Sequence, residues 1–568
     1  MAIENLITDH LDLWTAAVRP KSSAGRGNNS KLELTGIKKL RELILELAVC
    51  GKLVPQDPSD EPASVLLERI AAEKALLAKE GKIKKPKALP EIGEEDNPFA
   101  LPDGWIWQSI TDVFYPISVG SNKIKTAEIL EVGAVPVVDQ GKVFIAGYTD
   151  RVDLEITLPG PVIVFGDHTS ALKYIDFDFV AGADGVKILR PICICERYFY
   201  LVCNTLPIES RGYGRHYNRL LDNKFPLPPM GEQHRIVAKV DELMALCDQL
   251  EQRSESQLAA HQMLVETLLT TLTDSCDADE LAQNWARLST HFDTLLTTEA
   301  SIDALKQTIL QLAVMGKLVP QDPSDEPAFA LLDRIAADKA RLVKEKKIKK
   351  EKPLPAISED EKPFELPQGW AWRRFGLLPT FYSTGLDRGR SQQSIDGQYI
   401  YFKMNNILND GGFDLSDVTR VNAMQGEVEK YSLKKNDLLF NTRNSEELVG
   451  KTCVFTSDTQ EIILYNNNIL RAEFFDEVLP YMIDIWMRSP AGKNELNKIK
   501  SGTTNVWAIY QGKLESLPCV IPPCAEQHRI IKKVDELISL CDQLKSRLQT
   551  SQQTQLALAE SLVEGALA

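Results

Sequence analysis

The stretch Gly51-Lys-Leu-Val-Pro-Gln-Asp-Pro-Ser-Asp-Glu-Pro-Ala63 occurs twice in this chain, because residues 316–328 repeat it without a change. The same offset of 265 residues aligns Leu40 with Leu305 and Trp105 with Trp370. The duplicated block therefore reaches from residue 40 to residue 105 and again from residue 305 to residue 370. Self-similarity over such a distance indicates a repeated structural unit.

A second block repeats with an offset of 294 residues. Residues 228–236 read Pro-Pro-Met-Gly-Glu-Gln-His-Arg-Ile, and residues 522–530 read Pro-Pro-Cys-Ala-Glu-Gln-His-Arg-Ile. The segments between the two blocks, roughly 104–227 and 369–521, show little evident similarity. We interpret the repeats as parts that keep one shape and one partner surface, and the unlike inserts as parts that bind different things.

The second block continues into apolar residues spaced alternately four and three apart, which is the seam of a coiled-coil helix. The seam residues are Ile236, Val240, Leu243, Cys247 and Leu250 in the first copy, and Ile530, Val534, Leu537, Cys541 and Leu544 in the second. An ordinary amphipathic surface helix is the alternative. Because two near-identical copies exist, we favour antiparallel pairing of the two helices.

The first block begins with a helix, since Ile37, Leu40, Ile44 and Leu47 lie on one helical face and Gly51 follows as a C-terminal glycine. A proline-punctuated connector leads to a second helix. Lysine-rich runs then follow at 82–87 and 347–352. We interpret these runs as exposed linkers, with contact to DNA phosphate as the alternative.

The inserts contain short apolar runs bounded by Gly and Asn, which are typical of strands. Examples are 134–138, 161–165 and 185–189 in the first insert, and 398–402, 437–440 and 461–465 in the second. The predicted fold class is α+β, with two β-rich α+β domains alternating with repeated helical spacers that form an antiparallel coiled coil.

Six segments follow from this alternation. They are an N-terminal helical segment and linker (1–103), a first insert domain (104–227), a central spacer helix and connector (228–300), a second copy of the helical block and linker (301–368), a second insert domain (369–521) and a C-terminal spacer helix (522–568).

The chain has a net charge of −15, which alone argues against binding to nucleic acid. The charge is uneven, however. Residues 104–229 hold 12 Lys and Arg against 14 Asp and Glu, and residues 370–523 hold 17 against 18. The acidic excess therefore lies in the helical parts, and a basic face on each insert is compatible with the composition.

Other whole-chain features indicate a cytoplasmic protein. The sequence has no apolar run of membrane-spanning length and no signal peptide at its start. Its ten cysteines are dispersed without a CxxC pair, so we expect neither a metal site nor a disulfide framework.

Taken together, these motifs resemble the specificity subunits of type I restriction-modification systems, over nearly the whole length. The carrying residues are the LAVxGKLVPQDPSDEPA repeats (47–63 and 312–328), the LPxGW domain starts (101–105 and 366–370) and the PPxxEQHRI spacer starts (228–236 and 522–530). The long N-terminal helical segment and the GKLVPQDP repeats are most similar to the type IB branch.

The resemblance implies a non-catalytic protein that reads a bipartite, asymmetric target in double-stranded DNA. Each insert is then a target-recognition domain, and the paired spacers act as a ruler between the half-sites. Two modification (methyltransferase) subunits are the implied partners, together with restriction (translocase and endonuclease) subunits. We expect no cofactor on this chain, with S-adenosylmethionine, ATP and Mg on the partner subunits.

The sequence has two alternative functional interpretations. A stand-alone DNA methyltransferase is disfavoured because GxGxxG and Asn-Pro-Pro-aromatic motifs are missing, and Val449-Gly-Lys-Thr452 lacks the first glycine of a phosphate-binding loop, where Ser445 stands. A coiled-coil adaptor without DNA readout leaves the two unlike inserts unexplained. We expect no catalytic residues.

Base readout needs side chains that form hydrogen bonds with base edges. In the first insert the candidates are Arg211, Tyr213, Arg215, His216 and Arg219, with His168 and Lys173 in a second loop. In the second insert they are Thr503, Thr504, Asn505 and Trp507, with Arg443, Asn444 and Asn466 in further loops. A structural turn or a satisfied polar network is the alternative for each.

Overall fold

A computed structural model describes residues 3–20, 32–83, 97–182, 184–208, 214–276, 278–350, 353–503 and 506–567. These residues form two compact units. Unit 1 contains the chain up to Pro20, Leu32–Ser256 and the residues from Gln552 onward, and unit 2 contains Gln257–Ser551.

Unit 1 begins with helices and one short strand pair. These elements are α1 (Ile3–Thr8), α2 (Leu11–Ala16), β1 (Arg19–Pro20), β2 (Leu32–Glu33), α3 (Thr35–Val49) and α4 (Ala63–Lys79). Helix α3 is followed by Gly51, which has a φ of +71°. A Cβ atom on Gly51 would lie 2.4 Å from Cγ of Pro102. The repeated glycine is therefore required both by its backbone conformation and by close packing.

The first insert forms a mixed domain in unit 1. It contains β3 (Ile106–Ser109), β4 (Phe114–Ile117), β5 (Val135–Val138), β6 (Gly147–Thr149), β7 (Val162–Gly166), β8 (Leu172–Ile175), β9 (Val180–Ala181), β10 (Val186–Pro191), α5 (Glu196–Thr205), α6 (Tyr217–Leu221) and β11 (Lys224–Leu227). Its sheets have the strand orders β4-β10-β7-β8, β6-β5-β9 and β11-β3.

Helix α7 (Met230–Asp274) starts in unit 1 and ends in unit 2. The helices α8 (Ala278–Ser289), α9 (Phe292–Leu295), α10 (Glu299–Val314) and α11 (Ala328–Lys344) follow it. None of the described helices is long and apolar enough to cross a membrane.

The second insert adds β12 (Ala371–Arg374), β13 (Phe381–Thr384), β14 (Gln393–Ser394), β15 (Tyr399–Phe402), β16 (Thr419–Val421), α12 (Gln425–Tyr431), β17 (Leu438–Asn441), β18 (Arg443–Asn444), β19 (Thr452–Val454), β20 (Ile463–Tyr465), β21 (Ile469–Glu473), α13 (Leu479–Arg488), α14 (Pro490–Ile499), β22 (Ser501–Thr503), β23 (Val506–Ala508), α15 (Gln511–Glu515) and β24 (Pro518–Ile521). Helix α16 (Cys524–Leu567) follows and extends from unit 2 into unit 1.

The two inserts share one topology although their sequences differ. The order β13-β21-β17-β19 in unit 2 corresponds to β4-β10-β7-β8 in unit 1, and β12-β24 corresponds to β3-β11. The order β16-β15-β20 corresponds to β6-β5-β9, with one antiparallel and one parallel pairing in each. Unit 2 adds β14 and a sheet of order β18-β23-β22.

The predicted seams begin the two long helices. In unit 1, Ile236, Val240, Leu243 and Cys247 are buried, and Leu250 is half-buried. In unit 2, Ile530, Val534 and Cys541 are buried, Leu537 is half-buried, and Leu544 is 38% exposed. Each unit contains the start of one long helix and the end of the other, as an antiparallel coiled coil requires.

The two long helices also contact helices of the first block, which the seam pattern does not predict. In unit 2 the seam of α16 shares one hydrophobic cluster with α10 and with the end of α7. Ion pairs flank this packing: Lys306 of α10 lies 2.5 Å from Asp542. In unit 1 the equivalent Arg41 of α3 lies 2.7 Å from Asp248 of α7. In unit 2 the seam of α16 is therefore covered by α10, and in unit 1 the equivalent ion pair links α3 to α7.

Candidate nucleic-acid interface

Three segments that are distant in sequence meet at one edge of the four-stranded sheet in unit 1. Strand β7 ends at Gly166, and the next residue, Asp167, donates its main-chain N–H to the carbonyl of Gly185 (2.8 Å). The carbonyl of Asp167 accepts the main-chain N–H of His216 (2.7 Å). His168 and Arg215, which the sequence places in separate loops, therefore flank the hydrogen-bonded residues Asp167 and His216.

Buried groups fix this edge. Asp167 is 4% exposed, and its carboxylate accepts the main-chain N–H of Tyr217 (2.9 Å). His216 is 1% exposed, with Nδ1 at 3.0 Å from the carbonyl of Asp167. The structure thus gives His216 a positioning role and argues against the predicted direct DNA contact.

Lys173 also differs from its prediction. It lies on β8, is buried, and donates from Nζ to the carbonyl of Asp139 (2.9 Å) and to its carboxylate (3.2 Å). An ammonium group that is already desolvated and paired is not available to a phosphate. The sequence showed a lysine near a loop but not the direction of its side chain.

The accessible face of this edge carries several charges. Arg215 is exposed and His168 is half-buried. Lys123 donates to Asp184 (2.7 Å), and this hydrogen bond lowers the pKa of the Asp184 carboxyl, with smaller contributions from the charges of Arg215 and His168. Nδ1 of His168 is itself buried and has no hydrogen-bond partner among the described residues, so only the rest of the ring can face a ligand. The face therefore offers both cationic donors and a carboxylate acceptor to a base edge.

The candidates of unit 2 meet in a corresponding way. Strand β17 ends at Asn441, and Thr442 donates its main-chain N–H to the carbonyl of Asn468 (2.8 Å). The carbonyl of Thr442 accepts the main-chain N–H of Ile509 (3.0 Å). Arg443 is exposed and pairs in register with Ala508. Three segments that were predicted separately thus form one edge.

The shared topology makes His168 and Arg443 equivalent. Gly166 pairs with the first residue of β10, and Asn441 pairs with the first residue of β21. His168 and Arg443 each stand two residues beyond these paired positions. The same place in one fold therefore presents an imidazole in unit 1 and a guanidinium in unit 2.

The remaining candidates of unit 2 have structural contacts. Asn466 is 8% exposed and donates from Nδ2 to Oη of Tyr401 (3.0 Å), which argues against the predicted base contact. The side chain of Asn444 accepts the main-chain N–H of Ser445 (2.9 Å). Trp507 is half-buried and packs against Gly502, where a Cβ atom would lie 2.5 Å from the indole.

Six candidate residues remain, and the side chains of five of them lie outside the described part of the chain. Arg211, Tyr213, Thr504 and Asn505 lie outside the described residues. Thr503 ends β22, and its side chain is likewise outside the description. Arg219 is half-buried on α6.

The identical 13-residue stretches take part in a set of contacts that occurs once at the start of each domain. In unit 1 the indole of Trp105 donates to the buried carboxylate of Glu232 (2.9 Å), and Arg235 lies 2.6 Å from Asp60. Residue 63 donates its main-chain N–H to the carbonyl of residue 104 (3.0 Å). The stretch thus joins the helical block, the first turn of the domain and the start of the spacer helix.

Unit 2 repeats every contact of this junction. Trp370 donates to Glu526 (2.8 Å), Arg529 lies 2.5 Å from Asp325, and residue 328 donates its main-chain N–H to the carbonyl of residue 369 (2.8 Å). We define the Trp–Glu junctions as Trp105 with Glu232 and Trp370 with Glu526. In the sequence these residues served only as markers of the repeat.

The Trp–Glu junctions should make stability depend on pH. Burial raises the pKa of both Glu232 and Glu526, although hydrogen bonds from the tryptophans act in the opposite direction. A carboxyl with a raised pKa in the folded state binds its proton more tightly there than in the unfolded state. Its contribution to the free energy of unfolding is therefore complete below the unfolded-state pKa of about 4.3, and it is lost as the pH rises through the folded-state pKa. The variant E232Q/E526Q keeps an oxygen acceptor for each indole and cannot titrate. We expect the free energy of unfolding to fall less between pH 4.5 and pH 7 in this variant than in the parent chain. Urea titrations at several pH values measure the free energy of unfolding of both chains. The same dependence on pH in the variant and in the parent chain would contradict the prediction.

Comparison with known proteins shows the family of this chain. The sequence profile of the type I restriction modification DNA specificity domain matches residues 102–260 and 388–551. The specificity subunits of the Escherichia coli type I restriction enzymes EcoAI and EcoEI are 43% and 42% identical to this chain, over the full length of both partners. The HsdS subunit from Thermoanaerobacter tengcongensis is 16% identical in a structural alignment that covers 83% of this chain and 98% of that one, with a TM-score of 0.34.

The chain belongs to the family of type I restriction-modification DNA specificity subunits. The two full-length relatives confirm the resemblance to the specificity subunits of type I systems.

Proposed function

We propose that the chain recognises a bipartite, asymmetric DNA target, with the domain of unit 1 reading one half-site and the domain of unit 2 reading the other. The observation that carries this proposal is the equivalence of His168 and Arg443 within one shared topology. A common fold with different side chains at the same position is what two different half-sites need. Arginine favours guanine, whereas the half-buried imidazole of His168 has a different set of donors and acceptors.

The chain acts as a non-catalytic subunit in this proposal, in the cytoplasm. It directs two modification subunits, which bring S-adenosylmethionine, and restriction subunits, which bring ATP and Mg. The repeated scaffold supports a stoichiometry of two modification subunits, because the same 13 residues and the same junction contacts occur in each unit. The long helices keep the two reading edges apart as a ruler.

Genome-wide mapping of N6-methyladenine tests the proposal. A host that carries the modification subunit is compared with and without this gene, and a split motif should appear only with the gene. If the partner is expressed and bound but no motif appears, the chain is an adaptor and DNA readout is refuted. If the isolated chain binds S-adenosylmethionine, the stand-alone methyltransferase is favoured instead.

Single substitutions sharpen the test. We expect Arg443→Ala to reduce methylation of the target about 10- to 100-fold, since a bidentate arginine–guanine contact gives about 1–3 kcal/mol of discrimination. The loss should relax one base in one half-site and leave the other half-site unchanged. Arg215→Ala should affect only the opposite half-site. Each variant is the matched control for the other, and a loss spread over both halves would contradict the assignment of one half-site to each domain.

A further inference from the structure

One lysine of each identical repeat binds the C-terminal end of a long helix. In unit 2, Nζ of Lys317 donates to the main-chain carbonyls of Thr273 (2.6 Å) and Ser275 (2.9 Å), at and just after the end of α7. In unit 1, Nζ of the equivalent Lys52 donates to the main-chain carbonyl of Leu567 (2.5 Å), in the last turn of α16. We call Lys52 and Lys317 the end lysines.

The backbone of each end lysine is fixed by the turn in which it lies. The glycines before the two lysines, Gly51 and Gly316, have φ values of +71° and +70°. Each lysine donates its main-chain N–H to the carbonyl five residues before it, at 3.0 Å in unit 1 and 2.9 Å in unit 2. The last carbonyls of a helix have no partner within that helix, and a cation beside them also interacts favourably with the helix dipole. The end lysines therefore stabilise the last turns of the long helices.

The end of α7 has further contacts within unit 2. Ser275 is 2% exposed, and its Oγ donates to the carbonyl of Thr271 (2.8 Å). Asn284 of α8 donates from Nδ2 to the same Oγ (3.1 Å). Leu272, three residues before Ser275, is buried in the main hydrophobic cluster of this unit. Polar and apolar groups together thus anchor the end of α7.

The two long helices have equal spans between their anchors. At its start each helix carries the glutamate of a Trp–Glu junction, Glu232 in α7 and Glu526 in α16. Thr273 lies 41 residues after Glu232, and Leu567 lies 41 residues after Glu526. Only four of the last 23 residues are identical between these two spans. The spans therefore have the same length although most of their later residues differ.

Lysine side chains often cap helix ends, and a simple cap does not require two spans of equal length. Here the same lysine of an identical repeat makes the contact in both units, at the same number of residues from the Trp–Glu junction. We infer that the end lysines are positioning residues that fix the length of each spacer helix between its anchors, and thereby the gap at which a split DNA target is accepted. They act through the helices and not by contact with DNA. This inference rests on the proposed function, because that function supplies the split target.

Hydrogen–deuterium exchange of the full chain tests whether the end lysines anchor the helices. In K52M/K317M, peptides that cover the ends of α7 and α16 should exchange about two- to fivefold faster, because a cation at a helix C-terminus shifts an equilibrium by about this factor. Peptides that cover the starts of both helices should keep the rates of the parent. Unchanged exchange at both helix ends would overturn the inference.

R69M/R334M is the matched control for these measurements. It removes the same number of positive charges from equivalent positions of the two repeats. Arg69 lies 2.6 Å from Glu61, and Arg334 lies 2.8 Å from Glu326, and all four side chains are about half exposed. We expect this control to leave the exchange at both helix ends unchanged.

Methylation by the assembled complex tests whether the anchors set the gap. The gap that methylation mapping gives for the parent is compared with gaps one base pair shorter and one base pair longer, in otherwise identical DNA. For K52M/K317M we expect methylation at the changed gaps, relative to the parental gap, to rise about two- to fivefold. Base preference in both half-sites should stay the same. R69M/R334M should keep the parental ratio, and K52R/K317R should restore it, because arginine keeps the charge and the N–H donors.

An unchanged ratio between gaps would overturn the inference even if the helix ends exchange faster, and so would an equal loss of methylation at every gap. Either result would leave the end lysines with a stabilising role alone. A changed base preference in one half-site would also contradict it, because the lysine would then act on a reading edge. If the parent complex methylates no split motif, the proposed function is refuted instead, while the exchange measurement still decides whether the end lysines anchor the helices.

Discussion

Replacing Trp370 with alanine is expected to lower the free energy of unfolding of unit 2 by about 3–5 kcal/mol, as for other buried large-to-small substitutions of tryptophan. Trp370 is 8% exposed and belongs to the main hydrophobic cluster of unit 2. Its loss also removes the donor to the buried carboxylate of Glu526. An unsatisfied buried acceptor adds a further cost of about 1–3 kcal/mol when it cannot reach water.

Hydrogen–deuterium exchange measured by mass spectrometry resolves this effect by unit. Peptides of unit 2 should exchange faster in W370A, whereas peptides of unit 1 should keep the rates of the parent. Trp105→Ala is the matched variant and should reverse the pattern, because its indole makes the same contact with Glu232. Trp370→Phe keeps most of the apolar volume but loses the N–H, so its effect should be smaller. Equal acceleration in both units would contradict the view that each Trp–Glu junction supports its own domain.

The Trp–Glu junctions also show what the sequence could and could not predict. Trp105, Trp370 and the Glu-Gln-His-Arg elements can be found from the sequence alone, because they occur at identical positions in the two copies of the repeat. It could not reveal that the indole and the carboxylate are partners, since 127 residues separate them in unit 1. A contact between residues so far apart depends on how the insert domain folds to bring its two ends together. No local sequence pattern predicts this.

The same limit applies to the reading edges. Loops rich in Gly, Asn and Arg were identifiable from composition, and the structure brings His168 beside Arg215 and Arg443 beside Ala508. The direction of each side chain was not identifiable. Lys173 and His216 looked equally suitable, yet both are buried and bonded to main-chain carbonyls. Alternate side chains of a strand face the core. A shift of one residue in the strand register therefore exchanges the buried side chains for the exposed ones.

The shared topology of the two inserts was not visible in the sequence either. Val138 and Phe402 make corresponding hydrogen bonds, as do Asp167 and Thr442. The residues at these corresponding positions have little chemical similarity. A position in a strand requires a side chain that suits its face and register rather than one particular residue. The identical repeats remain recognisable in the sequence, while the two insert domains share only their hydrogen-bonding framework.

Leu243→Glu is expected to have the other large effect, this time on the spacer. Leu243 is 3% exposed in unit 1, so the new carboxylate must either be buried without a partner or force the helices apart. We expect a loss of about 3 kcal/mol or more, in line with other unpaired charges placed in a core. Leu544→Glu is the control at a seam position that is 38% exposed, where the same substitution should cost less than about 1 kcal/mol. Urea titration of both variants measures the difference.

A functional consequence follows from the proposed role of the spacer as a ruler. If the long helices hold the two reading edges at a fixed separation, L243E should lower methylation of the whole split target without changing which bases are preferred in either half-site. This outcome differs from that of Arg443→Ala, which should relax one base and leave helix packing intact. A variant L243E with normal spacer packing and full methylation would refute the ruler. A variant with altered base preference would instead place Leu243 in direct support of a reading edge, contrary to its place on the buried seam of α7.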